Sequence, residues 1–153
     1  MTSLGVAIAI HVLSVIWWIG GLAFVTAVIL PGLRSGQLGD TRAAFEVIES
    51  RFEPQVRIAV VLAGLSGLYL LFRLDLWGAF HQPRFWWLDA MVLFWLLFMF
   101  LLFVVSPAGL LERVGAKGGG DSRVWRRMHR LHLLLLVIAL IIIGGAVAGS
   151  RGF

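Results

Sequence analysis

Four long apolar runs, separated by polar connectors, constrain this chain more than any other feature of its sequence. They cover roughly residues 4–30, 56–72, 86–106 and 131–149. A helix needs about 20 predominantly apolar residues to cross the hydrocarbon core of a bilayer. Charged residues make up only 14% of the chain, whereas a soluble domain has about a quarter. The sequence therefore predicts an all-α polytopic membrane protein, with four transmembrane helices in an up-down bundle.

The polar connectors leave no room for a second domain, so residues 1–153 are expected to form a single membrane domain. Apolar residues at helical spacing predict an amphipathic segment over 41–53 on the cytoplasmic side. Pro54 is expected to separate this segment from the second helix, and the breakers in "PGLRSGQLGD" to end the first one. The predicted transmembrane helices cover about 3–30, 55–74, 85–106 and 126–149.

The basic residues predict how the chain crosses the membrane. Ten of the 13 lie around the connectors between helices 1 and 2 and between helices 3 and 4. The positive-inside rule places that side in the cytoplasm and both termini outside. This distribution explains the net charge of +5 by the positive-inside rule. The lipid bilayer is therefore the expected partner, and binding of nucleic acid is not expected. The ten residues are Arg34, Arg42, Arg51, Arg57, Arg113, Lys117, Arg123, Arg126, Arg127 and Arg130.

A histidine interrupts the first apolar run, in "IAIHVLSVIWWIGGLAF". His11 is expected about 10–12 Å below the outer end of its helix, from a rise of about 1.5 Å per residue. An imidazole at this depth needs a partner, because an unpaired polar group in hydrocarbon costs a few kcal/mol. Two interpretations remain open: His11 is a cofactor or metal ligand, or it forms a hydrogen bond across helices to Ser66 or Tyr69.

The other three histidines are predicted elsewhere. His81 lies in the outer connector, where it is expected to be exposed. His129 and His132 lie at the cytoplasmic start of helix 4, beside several arginines, where contact with solvent or lipid headgroups is expected. Because one metal needs its ligands at one depth, His11 and His132 are not expected to share an ion.

Met91 is predicted at nearly the same depth as His11. Helix 3 also runs from outside to inside, which places Met91 about 8–9 Å below its start. A His/Met pair is an axial ligand set for haem iron, and it also suits copper(I). The alternative for Met91 is ordinary packing in an apolar core. Tyr69 and His81 are the other candidates for a second ligand.

Helix 2 carries a stripe of small residues at Ala59, Ala63 and Gly67, with Gly64 beside them. Small residues at this spacing allow a neighbouring helix, or a flat ligand, to approach closely. The chain has no cysteine, which excludes disulfides, thiolate metal sites and Cys-attached haem.

Three segments resemble two known membrane families. "IHVLSVIWWIGGLAF" is similar to the first helix of the HemJ-type protoporphyrinogen oxidases, with a His followed by a Trp and a Gly-rich turn. It is equally similar to the CopD-type copper-resistance domain, where Trp-x-Gly-Gly follows a His. "FEVIESRFEPQVRIAVVLAGLSGLYLL" resembles the HemJ-type Glu-Arg stretch and the CopD-type Arg-Phe start with its Thr-Gly-Leu-Tyr ending. "WWLDAMVLF" is similar to a Trp-Leu-x-x-Lys helix start.

The resemblance implies a four-helix membrane fold of this superfamily and a haem site near the outer face. His11 matches the haem-linked histidine of the first helix. The lysine of the third-helix pattern falls on Met91, so the resemblance implies haem binding more strongly than protoporphyrinogen oxidation. A thioether can still occupy an axial position on the iron.

We therefore expect a membrane-embedded protein with haem b as cofactor and a redox role, either electron transfer or oxidation of a membrane-accessible substrate. Two residues would ligate the iron, two glycines would admit the porphyrin, and two arginines near the outer surface would pair with the propionates. The expected cofactor-binding residues are His11, Met91, Gly64, Gly67, Arg73 and Arg84.

Three alternative functions stay open. The first is copper transport or resistance of the CopD type, although the lower half of helices 1 and 3 offers only Met99 as a further ligand. The second is a protoporphyrinogen oxidase of the HemJ type, which the resemblance implies. The third is a structural subunit in which His11 only bonds across helices. Whether the protein is an enzyme, which electron donor or acceptor it uses, and whether it forms homo-oligomers are also open. The expected location is the bacterial inner (cytoplasmic) membrane, as a multi-pass protein.

Overall fold

The structure is a computed structural model that describes residues 2–35, 41–107 and 122–149. These residues form four long helices and no strand. Each helix contains a stretch long and apolar enough to cross a membrane, which confirms the prediction of an all-helical chain with four such spans. Arg113, Lys117 and Arg151 lie outside the described residues. The helices are α1 (Ser3–Arg34), α2 (Thr41–Arg73), α3 (Pro83–Val105) and α4 (Ser122–Gly149).

Helix α1 continues past the proline at which the sequence predicts its end. Its α-helical part Ser3–Phe24 is followed by a π-helical segment Val25–Ile29 and a last α-helical turn Leu30–Arg34. A proline ring normally clashes with the carbonyl four residues earlier, and the wider π turn relieves this contact for Pro31. The Thr26 hydroxyl also donates to the Leu22 carbonyl at 2.6 Å. A side-chain donor thus bonds to a backbone carbonyl at the start of the π-helical segment.

Helix α2 runs without a break through Pro54. The segment 41–53, which the sequence predicts as a separate amphipathic element, is the first part of this helix. Glu53 and Arg57 flank the proline and form an ion pair with 2.6 Å between Oε1 and Nη2. A pair at this spacing spans the helical turn that begins beside the proline and stabilises the helix there.

The four helices form a ring in which each contacts the next. The most extensive contact joins α1 to α2, followed by α1 against α4, while α3 with α4 and α2 with α3 close the ring. Across its centre, the indole of Trp18 packs against the rings of Phe94 and Phe98, with centroids 5.7 and 4.9 Å apart. Val60 of α2 and Ala139 of α4 complete this buried core.

Much of the outer surface of the bundle is apolar. Leu13 is 65% exposed, Phe72 65% and Leu93 67%, and similar side chains surround them on all four helices. A soluble protein rarely exposes an apolar surface of this extent. The bundle is therefore suited to a lipid environment, with its small core in the middle and its larger apolar surface outside.

Gly64 allows α3 to approach α2 closely. A Cβ atom at this position would lie against the indole of Trp95. That ring cannot easily move away, because its Nε1 donates to the Val60 carbonyl at 2.8 Å. Gly64, one glycine of the small-residue stripe, thus makes room for the indole of Trp95.

We expect Gly64→Ala to destabilise the protein by about 1–3 kcal/mol, the usual cost of overpacking a filled interior. Thermal unfolding in detergent measures the effect. The matched control is Gly20→Ala, because a Cβ at Gly20 meets nothing within 4 Å and alanine favours the helix. Equal unfolding temperatures for the two variants would contradict a fixed position for Trp95.

Candidate functional site

His11 lies at the interface between α1 and α2. Its Nδ1 is 3.0 Å from the Ala63 carbonyl and 3.2 Å from the Ser66 hydroxyl. A Cβ atom at Gly67 would be 3.1 Å from Cε1 of the imidazole. The absence of a side chain at Gly67 thus lets the ring reach the backbone of α2. The sequence offered Ser66 and Tyr69 as partners of His11, and in the structure the contact is with Ser66.

These contacts determine which nitrogen of His11 carries a proton. The Ala63 carbonyl can only accept a hydrogen bond, so Nδ1 must be the donor. The Ser66 hydroxyl donates to the Leu62 carbonyl at 2.5 Å, which leaves its oxygen as a second acceptor for Nδ1. In a neutral imidazole, Nε2 then carries the free lone pair. Among the described residues, no hydrogen bond is made by Nε2.

Met91 lies at the same level of the bundle as His11. Trp95 of α3 contacts Val60 and Gly64 of α2, and Met91 lies one turn closer to the N-terminus of α3. His11 contacts residues 63–67 of the same helix. Met91 is partly buried and packs against the core. The assignment of either residue as a ligand stays a prediction.

The remaining residues expected around a cofactor have contacts of their own. The imidazole of His11 covers Gly67, and the indole of Trp95 covers Gly64. Arg73 is exposed at the last turn of α2. Arg84 is exposed before α3, with its guanidinium 5.9 Å from the centroid of the Phe85 ring. Both arginines are therefore accessible at the end of the bundle nearest to His11.

His81 lies in the connector between α2 and α3, where the carboxylate of Asp89 binds it. Its Nδ1 is 3.0 Å from Oδ1 of Asp89, and its backbone N–H donates to Oδ2 at 3.0 Å. The φ angle of His81 is 61°, a strained value for a residue with a side chain. Its side chain is 91% exposed, in agreement with its expected position outside the bundle.

A cavity of about 170 Å³ lies at the opposite end of the bundle from His11. Sequence reasoning did not identify it, because its lining comes from all four helices. Aromatic and aliphatic side chains form most of its wall, including Trp18, Phe52 and Phe98. Its polar lining consists of Glu49, Glu53, Ser106 and His132.

The two histidines at the start of α4 have different surroundings. Nδ1 of His129 is 3.0 Å from Nη1 of Arg34, at the surface. His132 lines the cavity, and its Nδ1 is 3.0 Å from the Met128 carbonyl. The sequence predicts headgroup or solvent contact for both residues, and only the spacing of His132 relative to the apolar residues of α4 could have indicated its inward position.

Within residues 2–35, 41–107 and 122–149, no group of three or more His, Cys, Asp or Glu side chains is arranged to hold a metal ion. Comparisons with protein-family models, curated proteins and solved structures give no match to this chain. The resemblance to the HemJ and CopD types therefore stays a hypothesis based on the sequence motifs.

We expect nitrogen NMR of ¹⁵N-histidine-labelled protein to show His11 protonated at Nδ1 and unprotonated at Nε2. The reason is the Nδ1–H bond to Ala63, which a carbonyl acceptor requires. The His11→Gln variant assigns the signal by removing it. A proton found on Nε2 instead would mean that the imidazole does not donate to α2 and that its lone pair is not free.

Proposed function

We propose that this protein is a membrane-embedded b-type haem protein with a redox role, in which His11 ligates the iron. The observation that supports this is the hydrogen bond from Nδ1 of His11 to the Ala63 carbonyl. Metal-binding histidines commonly hold one ring nitrogen with a backbone carbonyl and present the other to the metal. His11 has this arrangement within an apolar bundle.

The donor set suits one axial position and permits a second. Nε2 of His11 is an available imidazole ligand, and Met91 at the same level is a thioether ligand on a different helix. A His/Met pair raises the reduction potential of haem iron. Arg73 and Arg84, both exposed near the same end of the bundle, supply cationic donors for two propionates.

The surface of α2 at Gly64, on which a porphyrin would lie, is the part of the site that must change. A porphyrin placed on Gly64 would take the position of the Trp95 indole. The proposal therefore includes rotation of Trp95 when the cofactor enters, with loss of its hydrogen bond to Val60. Gly67 is already in contact with the imidazole and needs no change.

A bound haem supplies one-electron redox chemistry, while the protein sets the orientation and the potential. The residues of this chain fix the imidazole against α2, exclude water with the apolar bundle, and provide charge at the outer end. Electron transfer and oxidation of a membrane-accessible substrate are both consistent with such a site.

The proposal includes an orientation in the bacterial inner membrane. The ten basic residues around the two connectors favour a cytoplasmic location for that side, with both termini outside. His11 and Met91 then lie in the outer half of the bilayer, and the cavity lies in the inner half.

Protein purified from a haem-replete host is expected to show a Soret band and roughly one haem b per chain. His11→Gln should abolish the band, because an amide does not replace imidazole as a strong iron ligand. The glutamine amide can still donate to the Ala63 carbonyl, so this variant should stay folded. His129→Gln is the matched control and should retain the band.

Other outcomes of this measurement identify the alternatives. A colourless wild-type protein that retains copper would support the CopD-type function. A colourless, metal-free protein that His11→Ala destabilises but His11→Gln does not would assign His11 a structural role and contradict the haem proposal.

We expect Met91→Ala to retain haem but to leave a five-coordinate, high-spin iron, because one axial ligand is lost. Met91→His should restore six-coordination with a lower midpoint potential, since a thioether favours ferrous iron more than imidazole does. Visible spectra and redox titration measure both changes. Met99→Ala, two turns further along α3, is the control and should resemble wild type.

An unchanged spectrum in Met91→Ala would show that Met91 is not the second ligand. Tyr69 and His81 are then the remaining candidates. His81→Ala would follow, and loss of the six-coordinate spectrum in that variant would move the ligand to the connector between α2 and α3.

A further inference from the structure

The cavity at the inner end of the bundle has the size of a single-ring molecule. Its volume is about 170 Å³, and an apolar protein cavity of about 150 Å³ is known to bind benzene. The rings of Trp18, Phe52 and Phe98 form part of its wall, and aromatic side chains favour a flat ring as a neighbour. The apolar lining thus favours a flat, single-ring occupant.

The polar side chains at this cavity offer hydrogen-bond acceptors. His132 uses its Nδ1–H on the Met128 carbonyl, so its Nε2 is an acceptor. The Ser106 hydroxyl donates to Oε1 of Glu53. The same Oε1 accepts from Arg57, while Oε2 of Glu53 has no partner among the described residues. An occupant that meets these acceptors must therefore donate a hydrogen bond. A donor of the lining, Nε1 of Trp18, is also buried without a partner among the described residues.

The charges favour a neutral donor over a cation. Arg57 already compensates the carboxylate of Glu53, and Glu49 has a partner as well. An ammonium group would have to lose its hydration without gaining an unpaired carboxylate, which is unfavourable in an apolar site. A neutral hydroxyl group can donate its proton to Nε2 of His132 or to Oε2 of Glu53 at a much lower desolvation cost.

The backbone around the cavity is also unusual. The π-helical segment Val25–Ile29 of α1 contributes Val25 and Ile29 to the lining. A second one, Leu101–Val105 of α3, contributes Leu102 and is followed by Ser106. π-Helical turns occur frequently at functional sites. Both such segments of the described chain border this one cavity.

We propose that the cavity binds the headgroup of a neutral, single-ring hydroxyl compound of the lipid phase, of the phenol or quinol class. The ring lies among the aromatic side chains, and its hydroxyl group donates to Nε2 of His132. This site is separate from His11 and does not require haem.

The test uses ¹⁹F NMR titration of the full chain in detergent with 4-fluorophenol and 4-fluorotoluene. The two probes have nearly the same shape, but only the phenol has a hydrogen-bond donor. After correction for partition into empty micelles, the phenol is expected to bind saturably and about tenfold more tightly, the usual gain from one good hydrogen bond. Equal affinity, or no saturable binding, would overturn the proposal.

Variants on α4 locate the hydroxyl group. His132→Leu should reduce the preference for the phenol, because it removes Nε2 at similar volume. His129→Leu is the matched control, since His129 does not line the cavity, and should retain the preference. A preference unchanged in both variants would overturn the assignment to His132.

Two further measurements separate this proposal from its alternatives. Tighter binding of the cation 4-fluorobenzylamine than of 4-fluorophenol would overturn the choice of a neutral donor. His11→Gln should still bind 4-fluorophenol, because the two sites share no residue. Phenol binding without a Soret band in the wild-type protein would contradict the haem proposal alone, and a Soret band without phenol binding would contradict the cavity proposal alone.

Discussion

The hydrogen bond from His11 to the Ala63 carbonyl is the interaction on which one half of the bundle depends. It requires Nδ1 of His11 to be protonated and places the ring directly on Gly67. A side chain at Gly67 would push the imidazole away from the backbone. The glycine at position 67, the contact of α1 with α2 at this level and the free lone pair of Nε2 therefore belong to one geometry. A polar side chain in an apolar bundle must be paired, and the way His11 is paired leaves one nitrogen available.

The same rule applies to Glu53 in the opposite half of the bundle. Arg57 and Ser106 both bond to Oε1 of this carboxylate, so α2 is connected to α3 where the proline interrupts its backbone hydrogen bonds. The two π-helical segments lie at this level, where α1 and α3 depart from regular packing. The cavity occupies the space that these irregular turns leave, with His132 of α4 beside it.

Hydrophobicity alone predicted the number, type and order of the helices, because a membrane span has a required length. The need of a polar side chain for a partner gave the contact of His11 with Ser66 as one of two alternatives. Hydrophobicity did not predict the path through Pro31 and Pro54, since a sequence pattern does not show the π turn or the Glu53–Arg57 pair that compensates each proline. The cavity was missed for a geometrical reason: Glu53, Ser106 and His132 are far apart in the chain, and their meeting depends on the rotation of three helices.

An aromatic layer separates the two halves. Trp18 lies seven residues below His11, a distance of about 10 Å along α1, and packs against Phe94 and Phe98. This layer keeps the acceptor nitrogen of His11 apart from the acceptors around the cavity. Each level therefore has polar groups of its own, and the core that lies between them is apolar.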